Sequence, residues 1–236
     1  MTDSATLDLR EMGSREAAAS NLRAGGAAVA LGSLGVTITS ALYALSPPAA
    51  ALPAQPFDQI SALAGAIAGA RTMFAAGTVG IFSDLVLGVG ALLIALELAR
   101  RERALAAAGW ILILLSAAVF TFVDAIVGYV LGPVAAMTDG AGAFAAFKHL
   151  FDVLFLLGTA AFGVGAVVAL TDDLQSATPI AGKATAPAGA LAGLGGTLAA
   201  GACFAGAPLE QGVGISIGLG SAIFAVMGAQ IALKSR

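Results

Sequence analysis

The chain has 236 residues, of which 59% are hydrophobic and only 11% are charged, and its formal net charge is −3. A soluble domain of this size would be about a quarter charged, so the composition excludes an ordinary soluble fold and indicates a polytopic membrane protein. The Lys and Arg residues are scattered between apolar runs rather than gathered into a basic patch, which disfavours nucleic-acid binding.

The first predicted elements are an N-terminal segment and a membrane span. Residues 1–23 carry mixed charges, with Glu11 and Arg15 one helical turn apart, which predicts a short cytoplasmic helix in solvent or at the interface. The apolar run 24–45 is longer than the ~7–15 residue core of a signal peptide, so we expect it to be retained as span one.

An outer-side amphipathic helix is predicted between spans one and two. The proline-rich stretch "SPPAAALPAQP" should be extended, and "FDQISALAGAIAGA" follows it with Asp58 as the N-cap. The helix should lie on the bilayer or over the mouth of the bundle. The alternatives are an ordinary loop with one helical turn and a helix that continues into span two. Its apolar face is predicted to comprise Phe57, Ile60, Leu63, Ala64 and Ile67.

Five further apolar runs predict spans at 72–98, 105–131, 143–170, 187–205 and 212–233. Each far exceeds the ~10 residues of a barrel strand, so the expected fold class is all-α with six transmembrane helices. The chain divides accordingly into the N-terminal segment 1–23, a four-helix segment 24–171, a cytoplasmic linker 172–186 and a glycine-rich hairpin with a short tail, 187–236. In the hairpin, small residues should let the two helices pack closely, or else line a conduit or gate: Gly189, Gly193, Gly196, Gly214, Gly218 and Ser221.

The basic residues predict the orientation of the spans. Only Arg71 and Lys148 fall on the side opposite the N-terminus. The positive-inside rule therefore predicts that both termini lie in the cytoplasm. The chain is expected to cross the inner membrane six times. Three aromatic residues near span ends are predicted to be interface anchors: Tyr43, Trp110 and Tyr129. The remaining nine basic residues share the cytoplasmic side: Arg10, Arg15, Arg23, Arg100, Arg101, Arg103, Lys183, Lys234 and Arg236.

Three aspartates fall inside predicted spans: Asp84, Asp124 and Asp152. An unpaired ionised Asp at the bilayer centre costs about 2.5–3.5 kcal/mol, so such residues should face the bundle or a hydrated cavity. At ~1.5 Å per residue they lie about 18, 10 and 13 Å below the outer ends of their spans, which predicts one shared acidic centre. Thr121 should support Asp124 by a hydrogen bond from one turn away, and Ser83 adjoins Asp84.

Span four carries two bases beside its aspartate. Lys148 and His149 lie four and three residues before Asp152, so both can reach it on a helix. One interpretation is an interfacial Lys that snorkels and neutralises Asp152 locally. The alternative is a proton or cation site formed by the three aspartates, with His149 as the titrating neighbour because its ordinary pKa is about 6.5.

Known catalytic patterns are absent from the sequence. The single histidine excludes bis-histidine haem ligation, the single cysteine, Cys203, excludes an internal disulfide, and no HExxH, CxxC, Walker or GxSxG pattern occurs. No cofactor is predicted, although three Asp and one His are chemically able to bind a divalent metal. An enzyme is therefore not favoured.

The stretch "RTMFAAGTVGIFSDLVLGVGALLIALELARRERALAAAGW" resembles an uncharacterised bacterial family of six-span membrane proteins of unknown function. The resemblance covers roughly residues 71–132 and consists of an Arg at the start of a span, a mid-helix Asp-Leu and a short basic turn. This chain lacks a charged residue that the family has early in span three. The resemblance implies a fold and no activity.

Three functions are compatible with these patterns. The leading hypothesis is proton- or cation-linked transport or sensing through the acidic centre. The second is an accessory subunit that packs in the bilayer against other membrane proteins, or against a second copy, through its glycine-rich helices. The third is a membrane-embedded metal enzyme. Transport requires the aspartates to converge on a cavity, whereas an accessory subunit leaves them free to scatter.

Overall fold

The computed structural model describes residues 3–44 and 59–234, and within them the side chains of 18–44, 63–209 and 212–234. These ranges contain helices and no strand, so the predicted all-α fold is confirmed for the described part of the chain. The helices are α1 (Asp3–Ala44), α2 (Gln59–Ala68), α3 (Ala70–Arg100), α4 (Ala104–Ala125), α5 (Gly132–Ala135), α6 (Ala141–Gln175), α7 (Thr185–Phe204) and α8 (Glu210–Lys234), with a π-helical segment (Ile126–Leu131) between α4 and α5.

Six helical stretches in the described ranges are long and apolar enough to cross a membrane. They are Ala18–Ala44, Ala70–Arg100, Ala104–Ala135, Ala141–Gln175, Thr185–Phe204 and Gly212–Lys234, and each overlaps one predicted span. The third continues from α4 through the π-helical segment into α5. The N-terminal segment does not form a helix of its own, because α1 runs without a break from Asp3 into the first span.

The six spans pack as a ring in chain order. Successive spans contact each other from α1 through α3, α4, α6 and α7 to α8, and α8 returns to pack against α1. The terminal hairpin of α7 and α8 therefore completes the ring, with α7 against α6 and α8 against α1. A ring of six helices leaves space at its centre wherever the inward-facing side chains are small.

Every interface of the ring has a close approach at a small residue. A hypothetical Cβ at such a glycine would lie within 2.9 Å of a backbone atom of the neighbouring helix at five of the interfaces, and of the Ser216 hydroxyl at the interface of α7 and α8. Lipid gives no hydrophobic reward for helix association, so this close van der Waals packing replaces it. The crossings, taken around the ring, are Gly90 on Val29, Gly77 on Gly128, Gly109 on Ala169, Gly193 on Gly163, Gly196 on Ser216 and Gly228 on Ala30.

One end of the bundle, here called the basic end, holds the turn between α3 and α4 and the linker between α6 and α7. Arg103 pairs there with Asp172 at 2.7 Å and with Asp173 at 3.0 Å. Asp173 also accepts hydrogen bonds from the backbone N–H groups of Ile180 and Ala181, each at 2.9 Å. The linker that the sequence predicts as a polar connection is thus tied to two helices by one buried carboxylate.

At the opposite, non-basic end, α2 packs against α5 and α6. Only Gly69 separates α2 from α3, as the alternative of near-continuity predicts. Ile67 of the predicted apolar face is 52% exposed, as in a helix that lies on the bilayer, whereas Gly65 and Ala66 are buried. The small side of the helix packs on the bundle because it permits a closer approach. Asp58 and Phe57, the predicted cap and the start of the apolar face, lie outside the described residues.

The predicted anchor role of Trp110 is wrong. Its side chain is 1% exposed and packs edge-on against Phe224, with ring centroids 6.0 Å apart. Phe162 contacts the same phenylalanine at 4.8 Å, so three aromatic rings fill the centre of the ring toward the basic end. Tyr129, in contrast, is 46% exposed on the outer surface of the bundle, where its hydroxyl lies 2.9 Å from that of Thr78.

Candidate functional site

Two of the predicted aspartates meet between α3 and α4. Asp84 and Asp124 are both buried, and both line the cavity described below. Gly80, one turn before Asp84, makes the meeting possible: a Cβ there would lie 1.7 Å from Oδ2 of Asp124. Glycine at position 80 therefore leaves the space on α3 that the carboxyl group of Asp124 occupies.

A carboxylate anion can only accept hydrogen bonds. A direct hydrogen bond between two carboxyl groups therefore needs a proton on one of them. Two neighbouring carboxylate anions would also repel each other strongly in a medium of low polarity. Two buried carboxyl groups on one wall are consequently an arrangement that is chemically able to hold a proton between two acids.

Tyr43 completes the site from α1, and its hydroxyl donates a hydrogen bond to Oδ1 of Asp124. Sequence reasoning missed this residue because a tyrosine near the end of a span is typical of an interface anchor. The available signal was its depth: Tyr43 lies near the end of α1, on the same half of the bundle as Asp124.

The predicted supporting residues act differently from the expectation. Thr121 donates to the carbonyl of Ala117 at 3.0 Å, one turn back on its own helix. The hydrogen bond to Asp124 that was expected from Thr121 comes from Tyr43 instead. Ser83 donates to the carbonyl of Val79 at 2.6 Å and packs against α1. Both hydroxyls satisfy their own helix, so the acid pair depends on Tyr43 and on packing.

A cavity of about 570 Å³ lies beside the pair in the non-basic half of the bundle. Its walls come from α1, α3, α4, α6 and α8 and are mostly apolar, as at Val36, Phe120 and Phe155. Gly214 and Gly218 of α8 also line it. Toward the basic end, the aromatic core of Trp110, Phe162 and Phe224 fills the ring.

Two polar atoms among the cavity-lining residues have no partner. Oδ2 of Asp84 and the hydroxyl of Thr39 are buried and make no hydrogen bond to any described residue. None of the described residues that line the cavity is Lys, Arg or His. The site therefore has unused hydrogen-bonding capacity, and none of its described lining residues supplies a positive charge.

A π-helical segment begins two residues after Asp124, at Ile126. Such segments widen a helix by one residue per turn and are frequent at functional sites. Here Gly128 of the segment lies against Gly77 of α3, directly beyond the acid pair. The irregular turn thus adjusts how α4 passes α3 at the level where their carboxyl groups meet.

The third aspartate is placed elsewhere. Asp152 pairs with Lys148 on its own helix, and α6 contributes Phe155 rather than Asp152 to the described lining of the cavity. The shared centre of three aspartates is therefore not formed. Lys148 is 2% exposed and its ammonium lies 5.1 Å from the ring centre of Phe151, so the bridge is local and largely buried.

His149 is exposed on the outside of α6. Phe151, two residues later, is buried, and residues two apart on a helix lie about 200° around its axis. The histidine consequently faces away from the acid pair and interacts electrostatically with Asp152 alone among the three aspartates. The expectation that it titrates beside a common acidic centre is corrected by this rotation.

The described residues contain no group of three or more His, Cys, Asp and Glu side chains placed to hold a metal ion. The metal ligands that the sequence allows, three Asp and His149, are separated because two face the cavity, one pairs with Lys148 and the histidine points outward. The metal-enzyme hypothesis therefore loses the set of ligands on which it depended.

No family model, curated protein or solved structure matches the chain. The function therefore has to be argued from the geometry of the site.

Proposed function

We propose that the protein is a proton-linked transporter of the inner membrane, with Asp84 and Asp124 as the group that carries the proton. The observation that supports this most directly is the position of two buried carboxyl groups on the wall of one cavity, with that of Asp124 lying against α3 one turn from Asp84. Ionisable residues at membrane depth are expensive, and transporters use them as proton relays. Tyr43 would hold Asp124 in place while protons come and go.

A proton fits this site better than a metal cation. A bound cation needs several oxygen ligands at once, and Oδ1 of Asp124 already accepts the hydrogen bond of Tyr43. A proton needs only the pair itself. We therefore choose proton coupling over the wider class of cation coupling.

Orientation belongs to the same proposal. The positive-inside rule puts the basic end in the cytoplasm, which places the cavity in the outer half of the bilayer and the aromatic core below it. Transport would then require the core of Trp110, Phe162 and Phe224 to part, so that the pair can exchange protons with the other side.

The test is proton flux into proteoliposomes under an imposed pH gradient with the membrane potential clamped at zero, read by an internal pH-sensitive dye. We expect Asp84→Asn and Asp124→Asn each to lower the flux at least tenfold. The matched control is Asp139→Asn, the same chemical change at an exposed turn of the non-basic end. Flux that is the same in the wild type and in both variants contradicts proton transport.

Infrared difference spectra between acid and alkaline conditions provide a second readout of the pair. The carbonyl stretch of a protonated carboxylic acid should be present in the wild type and in Asp139→Asn, and strongly reduced in Asp84→Asn. An unchanged band in Asp84→Asn would show that the pair does not hold the proton.

A further inference from the structure

We propose that the cavity binds a hydrophobic amine, with its apolar body between α1 and α8 and its ammonium group on Asp84 and Asp124. This inference rests on the proposed function, because the amine would be the molecule exchanged for the proton. The walls of the cavity, its two unpartnered polar atoms and its charge each support one part of the ligand.

The walls define the apolar body. A volume of about 570 Å³ falls within the range of roughly 300–1,000 Å³ that small-molecule sites occupy. Val36, Phe120, Phe155 and Ile215 present hydrocarbon to this space, which makes it a poor container for water alone. A compact aliphatic or aromatic group matches these surfaces.

The polar end is defined by the two unpartnered atoms. Oδ2 of Asp84 is an acceptor, and the buried hydroxyl of Thr39 also accepts. An ammonium group carries up to three donors, so it can satisfy both at once. A ligand carboxylate has only acceptors and would meet the negative charge of the pair without a cation to balance it.

The charge of the site selects a cation over a neutral alcohol. In this proposal Asp84 and Asp124 share one proton while the cavity is empty and so carry one negative charge, and none of the described lining residues is Lys, Arg or His. When the ammonium binds, the shared proton leaves to water, and two carboxylates with one ammonium again total one negative charge. The exchange of one proton for one organic cation therefore leaves the charge of this buried space unchanged.

Binding of amantadine to the full-length protein in proteoliposomes tests the inference. Adamantanol and adamantanecarboxylate keep the same cage and replace the amine by a neutral or an anionic group. After subtraction of uptake by empty liposomes, we expect amantadine to bind at least tenfold more tightly than adamantanol, and the carboxylate not to bind. In weakly buffered samples, about one proton should be released for each amantadine bound.

Two pairs of variants locate the binding. Asp84→Asn should weaken amantadine binding at least tenfold, whereas Asp139→Asn should not change it. Gly218→Phe should fill the cavity, since a Cβ there has its nearest neighbour at 4.0 Å, on Ser40. Gly195→Phe is the control, because Gly195 is exposed on α7 with nothing within 4 Å of its Cβ position.

The outcomes separate this inference from the proposed function. Equal affinity for the amine and the alcohol, full binding by Gly218→Phe, or uptake no greater than in empty liposomes overturns the amine site. If proton flux still depends on Asp84 and Asp124 in those cases, the transport proposal stands alone. Amine binding with flux that is independent of both aspartates would instead support the site and contradict transport.

Discussion

At the scale of single residues, the turn between α3 and α4 contains an unusual backbone conformation. Glu102 has φ 60, in the left-handed region that favours glycine. The backbone N–H of Arg103 donates to the carbonyl of Leu98 at 3.0 Å, and that of Glu102 to Ala99 at 3.1 Å. These are the two hydrogen bonds of a Schellman motif, whose left-handed position is usually glycine.

Glu102→Gly should therefore stabilise the protein. Glycine removes the steric cost of the left-handed conformation, about 1–2 kcal/mol. Because glycine also loses more conformational entropy on folding, the net gain in the free energy of unfolding should be about 0.5 kcal/mol. The measurement is the thermal unfolding midpoint in detergent. Glu102→Ala is the matched control, because it removes the same charge without permitting the conformation. A midpoint for the glycine variant no higher than for the alanine variant would contradict the argument.

At the scale of elements, helix lengths were predictable and helix rotations were not. Hydrocarbon thickness sets the length of an apolar run, which is why the predicted spans overlap the observed helices. Helix rise also gives depth, and it places Asp84 and Asp124 at levels from which both line one cavity. Rotation about the helix axis depends on where glycines let neighbours approach, and hydropathy does not encode it. For that reason Asp152, which was expected in the acidic centre, pairs with Lys148 instead. Tyr43, which was expected at the membrane interface, contacts Asp124.

Asp173 joins three elements at the basic end. It pairs with Arg103 at the start of α4 and accepts hydrogen bonds from Ile180 and Ala181 in the linker before α7. The residue is 2% exposed, so its partners cannot turn to water when it is removed. Two of its donors are backbone N–H groups, and the third, Arg103, is also paired with Asp172. The carboxylate of Asp173 stabilises the junction because these donors are held in place.

Asp173→Ala should destabilise the protein by about 3 kcal/mol, since it leaves a buried cation partly paired and two backbone donors unsatisfied. The unfolding midpoint in detergent should fall by several degrees. Asp139→Ala, at an exposed turn, should leave the midpoint unchanged. An equal, small effect of the two substitutions would show that the junction contributes no more than a surface charge.

At the scale of the whole molecule, the ring is closed by a contact that sequence order alone does not specify. Gly228 of α8 packs on Ala30 of α1, although the two lie at opposite ends of the chain. This closure surrounds the cavity on the side away from α4 and gives Asp84 and Asp124 a wall of α1 and α8. The site is thus a property of the complete ring, because no single hairpin contains all of its walls.

The orientation of this ring in the membrane decides which compartment the cavity faces, and it is open to a direct test. With nine basic residues against two, the positive-inside rule predicts that the basic end is cytoplasmic. In a Cys203→Ala background, Asp139→Cys at the non-basic end should react with a membrane-impermeant maleimide in intact cells. Lys183→Cys, exposed at the basic end, should react only after permeabilisation.

The reverse pattern of labelling would place the cavity and the acid pair in the cytoplasmic half. Protons and ligands would then enter the described cavity from inside the cell, and the aromatic core would lie on the outer side. Labelling of both cysteines in intact cells would indicate two orientations in one population. The predicted pattern is expected because moving the arginines at positions 100, 101 and 103 across the bilayer is opposed by each of their charges.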